Sequence, residues 1–224
     1  MNLYNYFLSN QGPRIIKNTN FFPVYERYFC RYVNRPVLMF EIGTGDGGAA
    51  RMWKHYFGPM ARIVTIDIVD CKQFEESQVY VRTGDQSDPD FLRSLVDEFG
   101  APDIVLDDGS HRTNDISNSF DILFPRTKSD GIYMVEDLFG VYWEILGGGM
   151  KKAGSFVEKC KDLIDELNGN EALRVFPETD FSRSVFSISF FHLMVVFEKT
   201  PFINRELLYL PKLPVPELAA DVPA

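Results

Sequence analysis

The chain has 224 residues, of which 45% are hydrophobic, 14% aromatic and 25% charged. These shares are typical of one folded domain with at most a small appendage, and they exclude a disordered, collagen-like or coiled-coil chain. Lys and Arg number 23 against 32 Asp and Glu, so the net charge is −9. Because no dense basic cluster offsets this charge, we expect no nucleic acid and no membrane as a partner.

The cysteines and the N-terminal residues indicate where the protein works. Three cysteines, Cys30, Cys71 and Cys160, are widely spaced and form no CxxC pair, as is usual for reduced thiols of an intracellular protein. The first ten residues have neither the basic start nor the apolar core of a signal peptide. No apolar run approaches the ~18 residues of a membrane span. We therefore expect a cytoplasmic location.

From about residue 37, short β-rich runs alternate with helical patterns, which predicts an α/β fold with a mostly parallel sheet. The predicted strands are VLMFEI (37–42), RIVTIDI (62–68), QVYVRTG (78–84), DIVLDD (103–108), GIYMVED (131–137) and a closing antiparallel pair, VFSISFF and LMVVFEK (185–199). The predicted helices run from Ala49 to Phe57, from Asp88 to Phe99, around Ile116 to Phe124 and from Lys151 to Asn168. We expect a Rossmann-like, seven-stranded sheet with helices on both faces and an antiparallel C-terminal strand.

The ends of the chain lie outside this alternation. We therefore divide the chain into a helical or irregular cover segment (1–36), a central domain (37–200) and a Pro-rich, extended tail (201–224). The Phe21-Phe22-Pro23 stretch and nearby tyrosines could cover the sheet edge, the site or another subunit. We expect a homo-oligomer, because this apolar surface is more than one small domain should bury alone.

A glycine-rich turn, Glu41-Ile42-Gly43-Thr44-Gly45-Asp46-Gly47-Gly48, follows the first strand and precedes the first helix, as nucleotide-binding turns do. Its letters satisfy both GxGxxG, found in NAD sites, and ExGxGxG, found in S-adenosylmethionine (SAM) sites. A dinucleotide brings a pyrophosphate that needs an unobstructed helix N-terminus, whereas SAM brings a sulfonium and an amino-acid end that suit carboxylates. No second domain is available for a hydride acceptor, so the turn favours SAM. NAD and a turn without a ligand are the alternatives.

Two acidic residues lie where the second and third predicted strands end, at the same edge of the sheet. Asp67, 24 residues after Gly43, can accept both ribose hydroxyls of either cofactor. Asp85 lies just after the third strand, where SAM enzymes often place an adenine contact. It fits a turn before the next helix equally well.

The fourth strand ends in Asp107-Asp108-Gly109-Ser110-His111 and the fifth in Glu136-Asp137. Because the carboxyl ends of parallel strands line the ligand crevice, these groups should converge beside the glycine turn. Acidic pairs at neighbouring strand ends repel each other, on the order of several kcal/mol in a half-buried cleft, unless a cation lies between them. Oxygen ligands suit Mg²⁺, Mn²⁺ or Ca²⁺ rather than zinc. Each pair alone could be a helix cap or a solvated turn, but both pairs with His111 favour a metal.

A metal and a histidine at one site indicate a chemistry. A bound divalent cation lowers the pKa of a hydroxyl and fixes its position. A histidine within reach can accept the proton as the oxygen attacks a methyl group. Most of the catalysis of such an in-line displacement should be positioning.

DIVLDDGSH is followed, 25 residues after its histidine, by the Glu-Asp pair of MVEDL. This pattern resembles the metal-dependent sugar O-methyltransferases of macrolide and rhamnoside biosynthesis and is similar to the cephalosporin hydroxylase family, which shares their fold. GDQSDPDFL, SFDILFP and VVFEK resemble the same family, over about residues 37–200. The resemblance implies a class I methyltransferase fold, metal ligands at Asp108, Glu136 and Asp137, and a general base at His111. The alternative is that activation by the metal suffices and that Asp108 or bulk water accepts the proton.

The predicted cofactor contacts are Glu41, Gly43, Gly45, Asp67, Asp85 and Asp107. The predicted acceptor is a hydroxyl of a sugar or glycosylated natural product, and Tyr142 and Trp143 could wall its pocket, with Gly147–Gly149 as a lid hinge or a plain connection. Two alternatives stay open, an accessory or hydroxylase-type member of this fold and an NAD-dependent oxidoreductase. Two departures from the family concern the acceptor: we expect no counterpart of the N-terminal auxiliary domain of the macrolide-sugar members in these 224 residues, and residues 17–28 contain no histidine.

Overall fold

The computed structural model describes residues 2–169 and 179–201. A seven-stranded sheet with the order β3-β2-β1-β4-β5-β7-β6 forms its centre. The strands are β1 (Val37–Ile42), β2 (Ala61–Asp67), β3 (Val79–Thr83), β4 (Ile104–Asp107), β5 (Ile132–Val135), β6 (Val185–Phe191) and β7 (Met194–Lys199). The first five strands are parallel, and β7 runs antiparallel to both β5 and β6. The predicted fold class and all predicted strands are confirmed.

The helices are α1 (Leu3–Leu8), α2 (Phe22–Phe29), α3 (Gly48–Phe57), α4 (Pro89–Phe99), α5 (Thr113–Leu123), α6 (Phe156–Asn168) and α7 (Asp180–Ser184). Among these, α3, α4 and α5 lie where the sequence predicts them. The prediction that α6 begins at Lys151 is wrong, because Gly154 has a φ of +79° and the Ser155 side chain caps the helix by accepting from the N–H of Glu158.

Apolar side chains cover both faces of the sheet. Alternate residues of β1 separate the two cores, with Met39 packed toward α2 and α3 and Phe40 toward α4 and α5. Continuous apolar strands of this kind are what a parallel sheet covered on both faces requires. No helix among the described residues is long and apolar enough to cross a bilayer.

The residues before β1 are part of the first core. Phe21, Phe22, Tyr25 and Phe29 are each at most 2% exposed, and Trp53 of α3 packs edge-on against two of them. The apolar surface that motivated the expected homo-oligomer is thus buried within the chain itself. The predicted tail lies, beyond residue 201, outside the described residues, and the boundaries at 36 and 200 stay predictions.

Candidate functional site

A cavity of about 620 Å³ opens at the carboxyl ends of the parallel strands. It lies where β1 and β4 are neighbours and the strand order reverses, which is where open α/β sheets bind ligands. Its lining comes from the glycine turn, from residues that follow β2, β3, β4 and β5, and from residues 14–17 of the N-terminal segment. The volume is within the range of small-molecule sites.

The glycine turn is shaped for close approach to the neighbouring loop. Gly43 has a φ of +100°, and a Cβ there would lie 2.1 Å from the carbonyl oxygen of Asp108. Gly45 has a φ of +50°, and a Cβ there would meet no atom within 4 Å, so its backbone is open to a ligand. No side chain within residues 2–169 and 179–201 caps the N-terminus of α3, which leaves backbone N–H groups available to a bound molecule.

Asp67 holds the turn and also lines the cavity. Its Oδ2 accepts the backbone N–H groups of Thr44 and Gly45, both at 3.0 Å, and its Oδ1 accepts that of Val69 at 3.1 Å. A carboxylate offers about four acceptor positions, so capacity for a ribose hydroxyl remains. Asp85 lines the cavity and accepts the N–H of Ser87 at 2.7 Å, as a residue of a turn does; its contact with adenine stays a prediction.

Two predicted cofactor contacts, Glu41 and Asp107, are 1% exposed and do not belong to the described lining of the cavity. Glu41 accepts a hydrogen bond from Trp53 Nε1 at 2.7 Å, and burial raises its pKa to about 7. Asp107 accepts from the Ser119 hydroxyl and from the N–H of Gly109 at 3.3 Å, and burial raises its pKa to about 6. Both support the loops around the cavity from behind, and their contact with a cofactor stays a prediction.

Gln86 is a supporting residue that the sequence analysis missed. Its Oε1 accepts the N–H of Ser110 at 2.6 Å, and its Nε2 lies 3.3 Å from Oδ1 of Asp107. A Cβ at Gly109 would lie 2.0 Å from the same Oε1. Gln86 therefore fixes the loop that carries His111. The one available signal was its place in GDQSDPDFL.

Asp108, His111 and Asp137 converge as predicted. Each offers a ligand atom, and these atoms all lie within 4.8 Å of one another. His111 and Asp137 have φ values of +57° and +54°, a conformation that is uncommon outside glycine and clusters at functional sites. Burial and the charge of Asp108 raise the pKa of Asp137.

Glu136, the fourth predicted member, has other partners. Its side chain is 1% exposed, and Oε1 accepts from Lys17 Nζ at 2.5 Å. The Tyr25 hydroxyl donates to Oε2, and burial followed by the charge of Glu136 raises the pKa of that phenol. Glu136 is therefore held from the N-terminal side of the site as well as from β5.

Lys17 is the unexpected cation of the site. Its side chain is 1% exposed, and its Nζ lies 2.6 Å from Asp108 Oδ2 and 3.9 Å from Glu41 Oε1. Burial lowers the pKa of Lys17, but the charges of Asp108, Glu136 and Glu41 outweigh it and raise the pKa above its ordinary value. The repulsion between acids that predicted a metal is thus partly relieved by the chain itself.

No local sequence pattern predicts that Lys17 and Tyr25 contact the acidic cluster. A single lysine twenty residues before β1 forms no motif with the strand ends that it contacts. Next to it, Arg14 pairs with Asp46 of the glycine turn at 2.5 Å. Residues 14–17 therefore connect the glycine turn to the acidic cluster.

The residues present fit a divalent cation and a nucleotide-like cofactor. Lys17 supplies one positive charge against the carboxylates of Asp108, Glu136 and Asp137, so the oxygen-rich cluster keeps the capacity for Mg²⁺. The open backbone at Gly45, next to Asp67, fits a ligand that bears a ribose.

No protein-family model matches the chain. Demethylmacrocin O-methyltransferase of Streptomyces fradiae is 38% identical over 161 aligned positions, and the match covers 67% of this chain and 40% of that protein. Mycinamicin VI 2''-O-methyltransferase of Micromonospora griseorubida is 37% identical over the same shares. The 8-demethyl-8-alpha-L-rhamnosyl tetracenomycin-C 2'-O-methyltransferase of Streptomyces olivaceus is 39% identical over 66% of this chain and 41% of its own length. The chain spans about two fifths of these curated relatives.

Solved structures that match the chain are also methyltransferases. The MycE methyltransferase of the mycinamycin pathway, in complex with Mg, SAH and mycinamycin VI, matches with a TM-score of 0.81 at 31% identity, covering 90% of this chain and 54% of that one. Its complex with Mg and SAH, in crystal form 1, matches with a TM-score of 0.82 at 30% identity, covering 90% of this chain and 55% of that one. The resemblance drawn from the sequence is confirmed.

Proposed function

We propose that this chain, a homologue of the sugar O-methyltransferases of macrolide and tetracenomycin pathways with their class I methyltransferase fold, transfers the methyl group of SAM to a hydroxyl of a sugar or glycosylated natural product. The observation that carries the proposal is a single cavity. It has the glycine turn and Asp67 on one side and Asp108, His111 and Asp137 on the other. The names of the relatives support the acceptor class, and the Mg and SAH of the MycE structure support both cofactors.

The glycine-turn side of the cavity is the proposed cofactor site. Gly43 lets the turn approach the Asp108 loop, and Gly45 leaves its backbone open to the cavity. Asp67 has acceptor capacity left for the ribose, and Asp85 lies in the lining after β3. If the amino-acid end of SAM lay on this side of the cavity near Glu41, the cavity wall would separate it from the Glu41 carboxylate. We therefore propose that Glu41 acts on the cofactor through the turn that it supports.

The acidic side is the proposed metal and acceptor site, with Asp108, Glu136 and Asp137 as the oxygen ligands. When bound there, a divalent cation such as Mg²⁺ lowers the pKa of the acceptor hydroxyl and orients it. A ring nitrogen of His111 accepts the hydroxyl proton, since the histidine lies beside two of these carboxylates. The Phe139 ring, with its centroid 5.2 Å from that of the imidazole, packs against His111 and restricts its orientation. Asp108 is the alternative proton acceptor.

Aromatic rings lead outward from His111. Phe139 contacts Trp143, with ring centroids 4.7 Å apart, and Trp143 and Tyr142 are 54% and 49% exposed. Exposed aromatic faces suit sugar rings, so we propose that this loop forms part of the acceptor wall.

The free thiols of Cys30, Cys71 and Cys160 support a cytoplasmic location. The homo-oligomer stays a prediction, because the apolar N-terminal residues that suggested it are buried within one chain.

Binding and transfer assays test the proposal. S-adenosylhomocysteine (SAH) and NADH are titrated in parallel and followed by tryptophan fluorescence, and methyl transfer from SAM is then screened over deoxysugar glycosides with and without EDTA. We expect SAH to bind, NADH not to bind, and transfer to need a divalent cation. Binding of NADH instead of SAH would indicate the oxidoreductase. SAH binding without transfer to any glycoside would favour the accessory or hydroxylase-type member.

A further inference from the structure

Lys17 connects the N-terminal segment to the centre of the acidic cluster. Its ammonium lies 2.6 Å from an oxygen of Asp108 and 2.5 Å from one of Glu136, on a side chain that is 1% exposed. Backbone position alone does not explain this, because Arg14 and Ile16 of the same segment are largely exposed. The side chain is directed inward, to two carboxylates.

Lys17 and a divalent cation would use the same oxygen ligands. Asp108 belongs to the group whose ligand atoms converge within 4.8 Å, and it is also the closest acid to Lys17 apart from Glu136. Two cations that share carboxylates repel each other strongly at short range in a buried site. Any cation bound by these acids must therefore displace the ammonium or coexist with it at a cost.

We propose that Lys17 is a positioning residue that acts as a resident cation. It holds Asp108 and Glu136 in place while no metal is bound, and it competes with the divalent cation for them. This inference rests on the proposed function, because the same acids are the proposed metal ligands. Its consequence is a metal site that is weaker, and more easily exchanged, than three carboxylates without the lysine would be.

A purely structural lysine would behave differently. If Lys17 only stabilised the fold, its removal would disorder Asp108 and Glu136 and would weaken metal binding or leave it unchanged. If Lys17 competes with the metal, its removal must strengthen metal binding. The sign of the change in metal affinity therefore separates the two roles.

The experiment measures Mn²⁺ binding by electron paramagnetic resonance, without SAM or acceptor, in the wild type and in Lys17→Met, Lys17→Arg and Lys54→Met. Lys54 is the matched control, because it pairs with Glu76 at 3.0 Å on a side chain that is 29% exposed. We expect Lys17→Met to bind Mn²⁺ at least tenfold more tightly than the wild type, and the other two variants to stay within threefold of it. Unchanged or weaker binding in Lys17→Met, equal tightening in Lys17→Arg, or no Mn²⁺ binding by any protein would overturn the proposal. SAH affinity of the same samples reports separately on the cofactor site of the proposed function.

Loss of Lys17 leaves the buried Glu136 without its cationic partner, so Lys17→Met could fail to fold. A second measurement follows Mg²⁺ binding in the wild type and does not need Lys17→Met. Mg²⁺ is titrated into protein labelled with ¹³C at the lysine ε position, and the Lys17 signal is identified by its absence from the Lys17→Arg spectrum. We expect a saturable shift of that signal and little change at Lys54. A Lys17 signal that does not move at millimolar Mg²⁺ would overturn the proposal.

Discussion

The Trp53 indole donates a 2.7 Å hydrogen bond to the carboxylate of Glu41 beneath the glycine turn. Both residues are at most 1% exposed, and the second oxygen of Glu41 has no hydrogen-bond partner among the described residues. Burial raises the pKa of Glu41 from 4.5 to about 7. The proposed cofactor site therefore rests on a carboxyl group that titrates near neutral pH.

The first prediction concerns Glu41→Gln. A carboxyl group whose pKa is raised by folding stabilises the protein most below its unfolded pKa, and this contribution is lost as the pH rises through the folded value. Between pH 4.5 and 7 the wild type should lose about 3 kcal/mol relative to the glutamine variant, which does not titrate. Urea unfolding of both proteins at pH 4.5 and pH 7.5 measures the difference. A difference that does not change with pH would contradict the raised pKa.

The second prediction concerns Asp67 and the cofactor. Asp67→Ala should weaken SAH binding by about 1.5–3 kcal/mol, the range for a hydrogen bond to a charged group, or by more, since it also releases the N–H groups of Thr44 and Gly45. Isothermal titration with SAH measures the loss. Asp70→Ala is the matched control, because Asp70 is exposed and accepts only the N–H of Lys72, at 2.9 Å, among the side-chain contacts described. Equal affinity in wild type and Asp67→Ala would remove Asp67 from the site.

The N-terminal segment gives a prediction about assembly. Phe29 is fully buried against Trp53 and Phe57 within one chain, so Phe29→Ala should lower the free energy of unfolding by about 3–5 kcal/mol. Because the contact is internal, the loss should not depend on protein concentration. Denaturant unfolding at two concentrations, with light scattering on the same samples, checks both points. A loss that disappears at high concentration would instead indicate burial between copies.

The sequence was sufficient for the sheet and for one side of the site. Apolar runs of strand length and a glycine turn are local signals. Asp67 ends a strand, and Asp108, His111 and Asp137 follow strands that end at the same edge of the sheet. Side chains that enter the site from outside the strand alternation have no such signal. Lys17 and Tyr25 contact Glu136 across more than a hundred residues of sequence, and only the folded chain shows that pairing.

Burial was equally hidden from the sequence. The positions of Glu41 and Asp107 near strand ends predict contact with a ligand. Both side chains are instead buried, and they accept hydrogen bonds from Trp53 and Ser119. Position at a strand end predicts that a side chain lies near the crevice. It does not predict which side of the crevice wall the side chain occupies, because successive strand residues point to opposite faces.

Chelation provides the fourth prediction. If Asp108, Glu136 and Asp137 bind a divalent cation, excess EDTA should abolish methyl transfer and leave SAH affinity and the unfolding midpoint nearly unchanged. The fold should tolerate metal loss because Lys17 already pairs with two of the three acids. Elemental analysis, SAH titration and activity are measured on the same preparation, and added Mg²⁺ should restore transfer. Full activity in EDTA with no metal found would exclude the metal.

The last prediction concerns His111, the proposed proton acceptor. His111→Ala should lower kcat by ~10²–10⁴, the range for loss of a general base, with SAH affinity little changed. His55→Ala is the matched control, because His55 is exposed on α3 and stacks on Tyr6. Turnover near that of the wild type in His111→Ala would assign the proton to Asp108 or to bulk water.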